Sequence, residues 1–195
     1  MADVYEQGRG LRAQRLRIAA WGSAAALMLV PLVAMQFTSE VAWDLADFVF
    51  MGALLLGVGG AYEFLSRKTG NIAYRAAVGL ALAGAFLLVW LNAAVGIIGT
   101  EQDDANLMFG GVIAIGIIGA VIARFKPNGM AHTLVAMGLA QLLIAAIALI
   151  DGFGATGPAW PNDVLLLTGF FTALWFASAL LFRRAARGGA PAGSR

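Results

Sequence analysis

The residues of this sequence that could do chemistry are acids and amides near the ends of long apolar runs. Asp47, Asn92, Asn106, Asp151 and Asp163 each stand inside such a run or beside its end. Polar groups in an apolar surrounding must find hydrogen-bond partners or pay a large desolvation cost. We therefore predict that these five residues form one polar cluster, whose role is either functional or purely structural.

A second set of acids lies in the connections between the runs. It consists of Asp44, Glu101, Asp103 and Asp104. Acids that cluster at one end of a helix bundle attract cations. One hypothesis is therefore that these residues form a cation-binding vestibule at the outer ends of the spans. Acids that precede helices also accept hydrogen bonds from free N–H groups and meet the positive end of the helix dipole. Both interpretations stay open, and Glu101 is the acid that capping explains least.

Most other chemistry is excluded by composition and motif. The chain has no Cys and one His, which removes disulfides, thiolate metal sites and Cys nucleophiles. Phosphate-binding loops, HExxH helices and GxSxG turns are also missing from the sequence. We predict no catalytic residue, no metal site, no cofactor and no nucleic-acid partner.

The composition points to lipid as the solvent. Hydrophobic residues make up 61% of the chain and charged residues 12%, whereas soluble domains are about half apolar and a quarter charged. About 20 apolar residues cross the bilayer core as a helix, and backbone groups in lipid must pair within their own segment. We therefore predict an all-α membrane protein with six spans. The spans are residues 18–37, 45–66, 73–99, 106–125, 130–150 and 163–182, between a basic tail at 1–17 and a flexible tail at 183–195.

The charges separate cleanly between the two sides of these spans. With six spans, all thirteen Lys and Arg fall on the side of both tails, and of the eleven acids only Asp3, Glu6 and Glu63 join them. Basic residues mark the cytoplasmic side of membrane proteins. We therefore predict a multi-pass protein of a bacterial inner membrane with both termini in the cytoplasm. Its expected partners are the lipid bilayer and either another membrane protein or a second copy of the chain.

An internal repeat relates two pairs of spans. Residues 47–92 align with 106–151 without a gap, and the alignment places Gly57 on Gly116. Both copies run in the same direction, so a rotation about the membrane normal relates them. We predict three helical hairpins around a pseudo-threefold axis. The small residues that recur in the repeat favour close approach of helix backbones.

This architecture resembles the HdeD-type acid-resistance membrane proteins of bacteria. The resemblance covers residues 18–182 and lies in six spans built as hairpins, Gly-rich helices and both tails inside. The run AVGIIGTEQDDANLMFGG is similar to a signature of uncharacterised bacterial membrane proteins. These resemblances imply a six-helix inner-membrane fold, and they transfer no functional residue.

Two functions fit these observations. The first is a non-enzymatic membrane protein that acts through partners or as a structural, stress-related component, because only Asn92, Gln141 and a few hydroxyls interrupt the spans. The second is a small transporter or channel for a cation, proton or small solute, because an acidic mouth lies over repeated helices. A continuous polar path would favour transport, and a solid Gly-packed bundle would favour the first function.

Overall fold

All regular structure in the described part of the chain is helical. The computed structural model describes residues 18–188, apart from Ala20, Glu40, Lys68, Thr156 and Pro158. The predicted basic tail at 1–17 and residues 189–195 of the predicted flexible tail lie outside the described residues. The predicted all-α class is confirmed for the residues described.

The helices are long and strongly apolar. They are α1 (Trp21–Ala34), α2 (Leu45–Arg67), α3 (Ile72–Ala94), a short 3-10 helix (Asp104–Leu107) that leads into α4 (Met108–Ile122), α5 (Pro127–Asp151) and α6 (Asn162–Gly188). Five of these stretches are long and apolar enough to cross a membrane, counting α4 together with its 3-10 turn, and α1 is shorter. The chain is therefore a multi-pass membrane protein.

The ends of two predicted spans differ from the structure. α6 continues to Gly188, so residues 183–188, predicted as part of the flexible tail, are helical. Residues 73–99 form one apolar run, but α3 ends at Ala94 and the backbone then leaves the helix. Gly96 and Gly99 adopt φ angles of 73° and 69°. This left-handed conformation is open to glycine and costly for residues with a side chain. Two glycines therefore end the helix while the sequence is still apolar.

By its internal contacts the chain divides into two units, residues 1–60 and 61–195. In the first unit, α1 packs on α2 where glycines leave room. The methyl carbon of Met28 lies 3.8 Å from the position that a Cβ of Gly52 would take, and the Trp21 ring lies 3.0 Å from that of Gly59. Small residues thus let these two helices approach closely, as is typical of helices in lipid.

The second unit contains a core formed by α3, α4, α5 and α6. Its largest fully buried side chains include Phe109, Phe171, Trp175 and Phe182. Glycines again set the spacing: a Cβ at Gly138 of α5 would lie 2.6 Å from the Phe176 ring of α6. The same holds between α3 and α6, where the Trp175 ring lies 3.0 Å from the Cβ position of Gly84. Glycines therefore allow close approach of α6 to both α3 and α5 in this core.

The bundle of the second unit has two chemically different ends. We call the end that carries the α3–α4 and α5–α6 connections the acidic end. The opposite end carries the α2–α3 and α4–α5 connections and the last turn of α6, and we call it the basic end. At the basic end, the Asn71 side-chain amide donates to the Ala185 carbonyl (3.2 Å), and α5 begins with Pro127, where a missing N–H costs nothing.

Candidate functional site

The centre of the predicted polar cluster is Asn106, in the 3-10 helix before α4. Its Oδ1 accepts from the backbone N–H groups of Ile97 and Ile98, both at 3.0 Å. Its Nδ2 donates to the carbonyls of Ile98 (3.0 Å) and Thr100 (2.6 Å). A carboxamide can make four hydrogen bonds of this kind, and Asn106 makes all four. Its side chain is 4% exposed and has no capacity left for a ligand.

The chain after α3 explains why such a residue is needed. Ile97 and Ile98 are 1% and 0% exposed, yet their backbone is not helical. Buried N–H and C=O groups cost free energy when they lack partners, and lipid supplies none. The Asn106 side chain replaces the missing helical hydrogen bonds. It therefore locks the apolar loop of residues 95–100 into the acidic end of the bundle.

Asn92 joins this lock from the last turns of α3. Its Nδ2 donates to the backbone carbonyl of Asn106 at 2.9 Å, while its Oδ1 is buried without a hydrogen-bond partner among the described residues. Behind the loop, a Cβ at Gly154 would lie 2.6 Å from the Gly99 nitrogen. The α3–α4 and α5–α6 connections therefore pack backbone against backbone. The structure brings Asn92 and Asn106 together, in a structural role.

The remaining members of the predicted cluster are placed elsewhere. Asp151 is exposed at the last residue of α5, where Gly152 caps the helix in the left-handed conformation. The prediction that it turns inward beside Asn92 is therefore wrong, because α5 ends there. Asp163 lies in the first turn of α6, and its Oδ1 accepts from the N–H of Val164 at 2.7 Å. Asp47 belongs to the first unit and is described with the other helix-capping acids.

Two of the four acids assigned to the vestibule, Asp44 and Asp103, accept hydrogen bonds from nearby backbone N–H groups. Asp44 Oδ1 accepts from the N–H groups of Ala46 (2.7 Å) and Asp47 (3.0 Å), and Asp47 Oδ2 accepts from the N–H of Asp44 at 2.9 Å. This reciprocal arrangement is that of a capping box. Asp103 Oδ2 accepts from the N–H of Thr100 at 2.7 Å and so holds the loop.

The two other vestibule acids, Glu101 and Asp104, are exposed. In the part of the chain that the structure describes, no group of three or more His, Cys, Asp or Glu residues is placed to hold a metal ion. The acids of the vestibule therefore hold loop and helix starts or face solvent, and the geometry gathers no cation site from them.

A different polar set lies inside the bundle, between α5 and α6. Gln141 of α5 is fully buried, and both atoms of its carboxamide lack partners among the described residues. Thr168 and Thr172 of α6 are 4% and 7% exposed, and their hydroxyls are also unpaired there. The indole N–H of Trp175 is in the same condition. We call these four residues the inner polar set.

The packing of the two helices brings Gln141 and Thr172 of the inner polar set to one level. Gly138 meets Phe176, and α5 and α6 run in opposite directions because a short connection joins them. One turn onward along α5 is Gln141, and one turn backward along α6 is Thr172. Thr168 follows on the same face of α6. The side chains therefore share one interior region in the half of the bundle nearer the acidic end.

The hydroxyls elsewhere in the second unit show that this set is unusual. Thr133 donates to the Gly129 carbonyl (3.1 Å), Ser66 to that of Tyr62 (2.5 Å) and Ser178 to that of Ala77 (2.8 Å). Buried hydroxyls in membrane helices are normally satisfied in this way. Thr168 and Thr172 are not. Buried water commonly pairs with such groups in protein interiors.

Toward the basic end the interior becomes closed and apolar. The rings of Tyr74 and Phe182 meet edge to face with centroids 5.2 Å apart, and Phe182 is fully buried. The Tyr74 hydroxyl donates to the Phe125 carbonyl at 2.9 Å, which joins α3 to the α4–α5 turn. We call Tyr74 and Phe182 the aromatic plug. The inner polar set thus ends at a barrier instead of continuing through the bundle.

Gln141 is recognisable in the sequence as a polar residue inside an apolar span, but its proximity to the threonines of α6 was not predicted. The signal was present, because Thr168, Thr172 and Trp175 follow one another at helical spacing on one face of α6. The inner polar set offers uncharged donors and acceptors and contains no titratable side chain. It offers neither a nucleophile with a base nor a proton relay.

Comparison with known proteins adds no relative to this description. No protein-family model, no curated protein and no solved structure matches the chain. The functional interpretation therefore rests on the geometry of the described residues.

The Asn106 lock predicts a large loss of stability on truncation. Replacing Asn106 by Ala leaves the N–H groups of Ile97 and Ile98 and the Ile98 carbonyl unpaired. The Thr100 carbonyl keeps its bond from the Asp103 N–H. Each lost bond costs about 0.5–1.5 kcal/mol, and more where burial is complete. We expect the thermal unfolding temperature in detergent micelles to fall by many degrees. Asn128→Ala, at an exposed asparagine in the first turn of α5, is the matched control and should change it little. Equal effects of the two substitutions would contradict the lock.

Proposed function

We propose that this protein is a non-enzymatic, multi-pass protein of the bacterial inner membrane, which acts through membrane-protein partners or as a structural, stress-related component. Of the acids and amides that could have formed a reactive centre, Asn92, Asn106 and Asp103 are engaged in the loop lock and Asp44 in helix capping. Glu101, Asp104 and Asp151 are exposed. What remains for function is the apolar surface that the helices offer to lipid and to neighbouring membrane proteins, including a second copy of the chain.

One observation carries this proposal: the buried unpaired polar groups extend along only about half the length of α6. The inner polar set begins at Thr168, about 9 Å from the start of α6, and ends near Trp175, about 20 Å from it. Beyond that depth the buried hydroxyls of Thr133 and Ser178 are bonded to backbone carbonyls. The rest of the interior there is occupied by the aromatic plug and by small apolar residues such as Ala131 and Ala185. Conduits for ions and solutes are lined by carbonyls or polar side chains, and apolar constrictions close them to water. An interior whose basic half is apolar and aromatic therefore favours a closed bundle.

The proposed topology has six spans with both ends in the cytoplasm. Its support is the five long apolar helices together with α1, and the separation of basic from acidic residues along the sequence. The basic end would then face the cytoplasm. Because the chain has no Cys, single cysteines at Thr69 and Gln102 provide a clean test. They should be labelled from opposite sides of the membrane, and labelling of both from one side would overturn the topology.

We also propose that the three hairpins are repeats. The sequence alignment of residues 47–92 with 106–151 supports this. The aligned glycines have different surroundings: Gly116 meets Met137, whereas Gly57 has no neighbour within 4 Å. The two copies differ where they meet the acidic end. After Asn92 the chain forms the locked loop, whereas α5 continues to Asp151 and ends at a left-handed glycine. The locked loop would be the specialisation of one copy.

A second function is favoured by one specific feature, the unpaired hydrogen-bonding groups of the inner polar set. A small neutral solute that entered from the acidic end could pair with Gln141, Thr168 and Thr172. Passage would then require the aromatic plug to open toward the basic end. This alternative is a small transporter or channel. The absence of any charged side chain from the inner polar set favours a neutral solute over a cation or proton.

Flux measurements separate the two functions. Proteoliposomes containing the purified protein would be tested for proton and potassium flux with fluorescent dyes, and for urea and glycerol entry by stopped-flow light scattering. We expect rates equal to those of protein-free liposomes, because the aromatic plug closes the interior.

A flux above that background would overturn the non-conducting proposal and favour transport. It would then be assigned to the inner polar set only if Gln141→Leu removes it. Leu142→Met, at the exposed neighbouring position of α5, is the matched control and should leave such a flux unchanged.

A further inference from the structure

An apolar groove lies in the second unit, between α3, α4 and α5 and beside the last turns of α2. Its volume is about 240 Å³, and its lining includes Leu65, Val78, Phe125, Met130 and Trp175. Water occupies cavities that offer it several polar partners, whereas apolar cavities stay dry and accept apolar guests. The groove therefore requires an apolar occupant, and the hydrocarbon of the bilayer is the nearest source of one.

The length of the groove matches one leaflet. Along α4 its wall runs from Ile113 to Val121, about 12 Å of helix, and Phe125 extends it to the basic end. One leaflet contributes about 15 Å to the hydrocarbon core. On α3 the wall runs from Val78 to Ala85 over a similar depth. The groove thus opens near one membrane surface and ends near the middle of the bilayer, as a site for an acyl chain should.

The mouth of the groove is basic. Phe125 lines the groove, and Arg124 and Lys126 stand on either side of it in the chain, both exposed. Arg124 and Phe125 adopt φ angles of 49° and 57°, which non-glycine residues rarely do. The hydrogen bond from the Tyr74 hydroxyl to the Phe125 carbonyl (2.9 Å) helps to hold this turn. The α4–α5 turn therefore presents two fixed positive positions beside an apolar channel.

We propose that this groove binds an acyl chain of an anionic phospholipid from the leaflet at the basic end, while Arg124 and Lys126 bind its phosphate headgroup. Basic pockets between membrane helices on the cytoplasmic side recognise anionic headgroups in this way. The chain fills the groove by van der Waals contact, and the charges select the headgroup. Lipid binding at this site requires neither transport nor a protein partner.

Trp175 provides a direct reporter, because its side chain lines the groove and is fully buried from the surroundings. In a variant that keeps only this tryptophan, with phenylalanine at the other four, fluorescence would be measured in mixed micelles. The probes are phosphatidylglycerol and phosphatidylcholine, each brominated at mid-chain. We expect phosphatidylglycerol to quench Trp175 at much lower mole fraction. Equal quenching by the two lipids would overturn the proposal.

Substitutions at the mouth test the headgroup contact. Each basic residue near a headgroup contributes about fivefold in affinity, so the double substitution Arg124→Gln and Lys126→Gln should weaken phosphatidylglycerol binding about thirtyfold. The matched control is Arg183→Gln with Arg184→Gln, at exposed residues of α6 that do not line the groove. Equal losses in the two double variants would mean that surface charge alone attracts the lipid, which would contradict the site.

Filling the groove tests the chain contact. Ala81 lines the groove, so Ala81→Leu should abolish quenching by brominated phosphatidylglycerol, whereas Ala136→Leu, at an exposed position of α5, should preserve it. Undiminished quenching in Ala81→Leu would overturn the site. Native mass spectrometry of the unaltered protein gives a second readout without any substitution. Preferential retention of phosphatidylglycerol over phosphatidylcholine supports the proposal, and equal retention contradicts it.

Discussion

The second unit depends on one constraint, that a backbone buried in an apolar environment must find its hydrogen bonds within the protein. α3 ends at Ala94, although the residues that follow are still apolar. The following loop can stay buried only because one side chain, Asn106, pairs with four backbone groups of residues 97–100. Asn92 of α3 donates to the Asn106 carbonyl. Asp103 accepts from the N–H of Thr100 in the loop. Asn92, Asn106 and Asp103 are thus engaged in holding this loop.

The bundle is therefore asymmetric along its length. Near the acidic end, unpaired groups of Gln141, Thr168 and Thr172 make the interior polar. Near the basic end, Tyr74 and Phe182 close it. Glycines that admit whole side chains, such as Gly138 against Phe176, leave little free space between α5 and α6. The free volume lies instead in the groove beside α4, which is apolar and opens near basic residues. These features favour a protein that binds membrane components over one that conducts.

Composition and run length were sufficient to predict the all-α class and most helix bounds, because lipid permits few alternatives to a helix. The predicted end of the third span at residue 99 was wrong. Hydropathy does not distinguish a helix from an apolar loop, and here Gly96 and Gly99 adopt left-handed conformations outside the helix. The predicted cluster correctly placed Asn92 beside Asn106. It also included Asp151, which the repeat aligns with Asn92, but Asp151 is exposed because α5 ends there. The inner polar set was not predicted, because its residues come together only when α5 packs against α6. No local sequence pattern indicates which helices pack together.

The most direct test of the lock is hydrogen–deuterium exchange of the loop in lipid nanodiscs, followed by mass spectrometry. The amides of Ile97 and Ile98 are buried and bonded to the Asn106 oxygen. We predict that the peptide containing them exchanges as slowly as the middle of α5, and that Asn106→Ala makes it exchange quickly while α5 stays protected. Rapid exchange of this loop in the unaltered protein would contradict the central role assigned to Asn106.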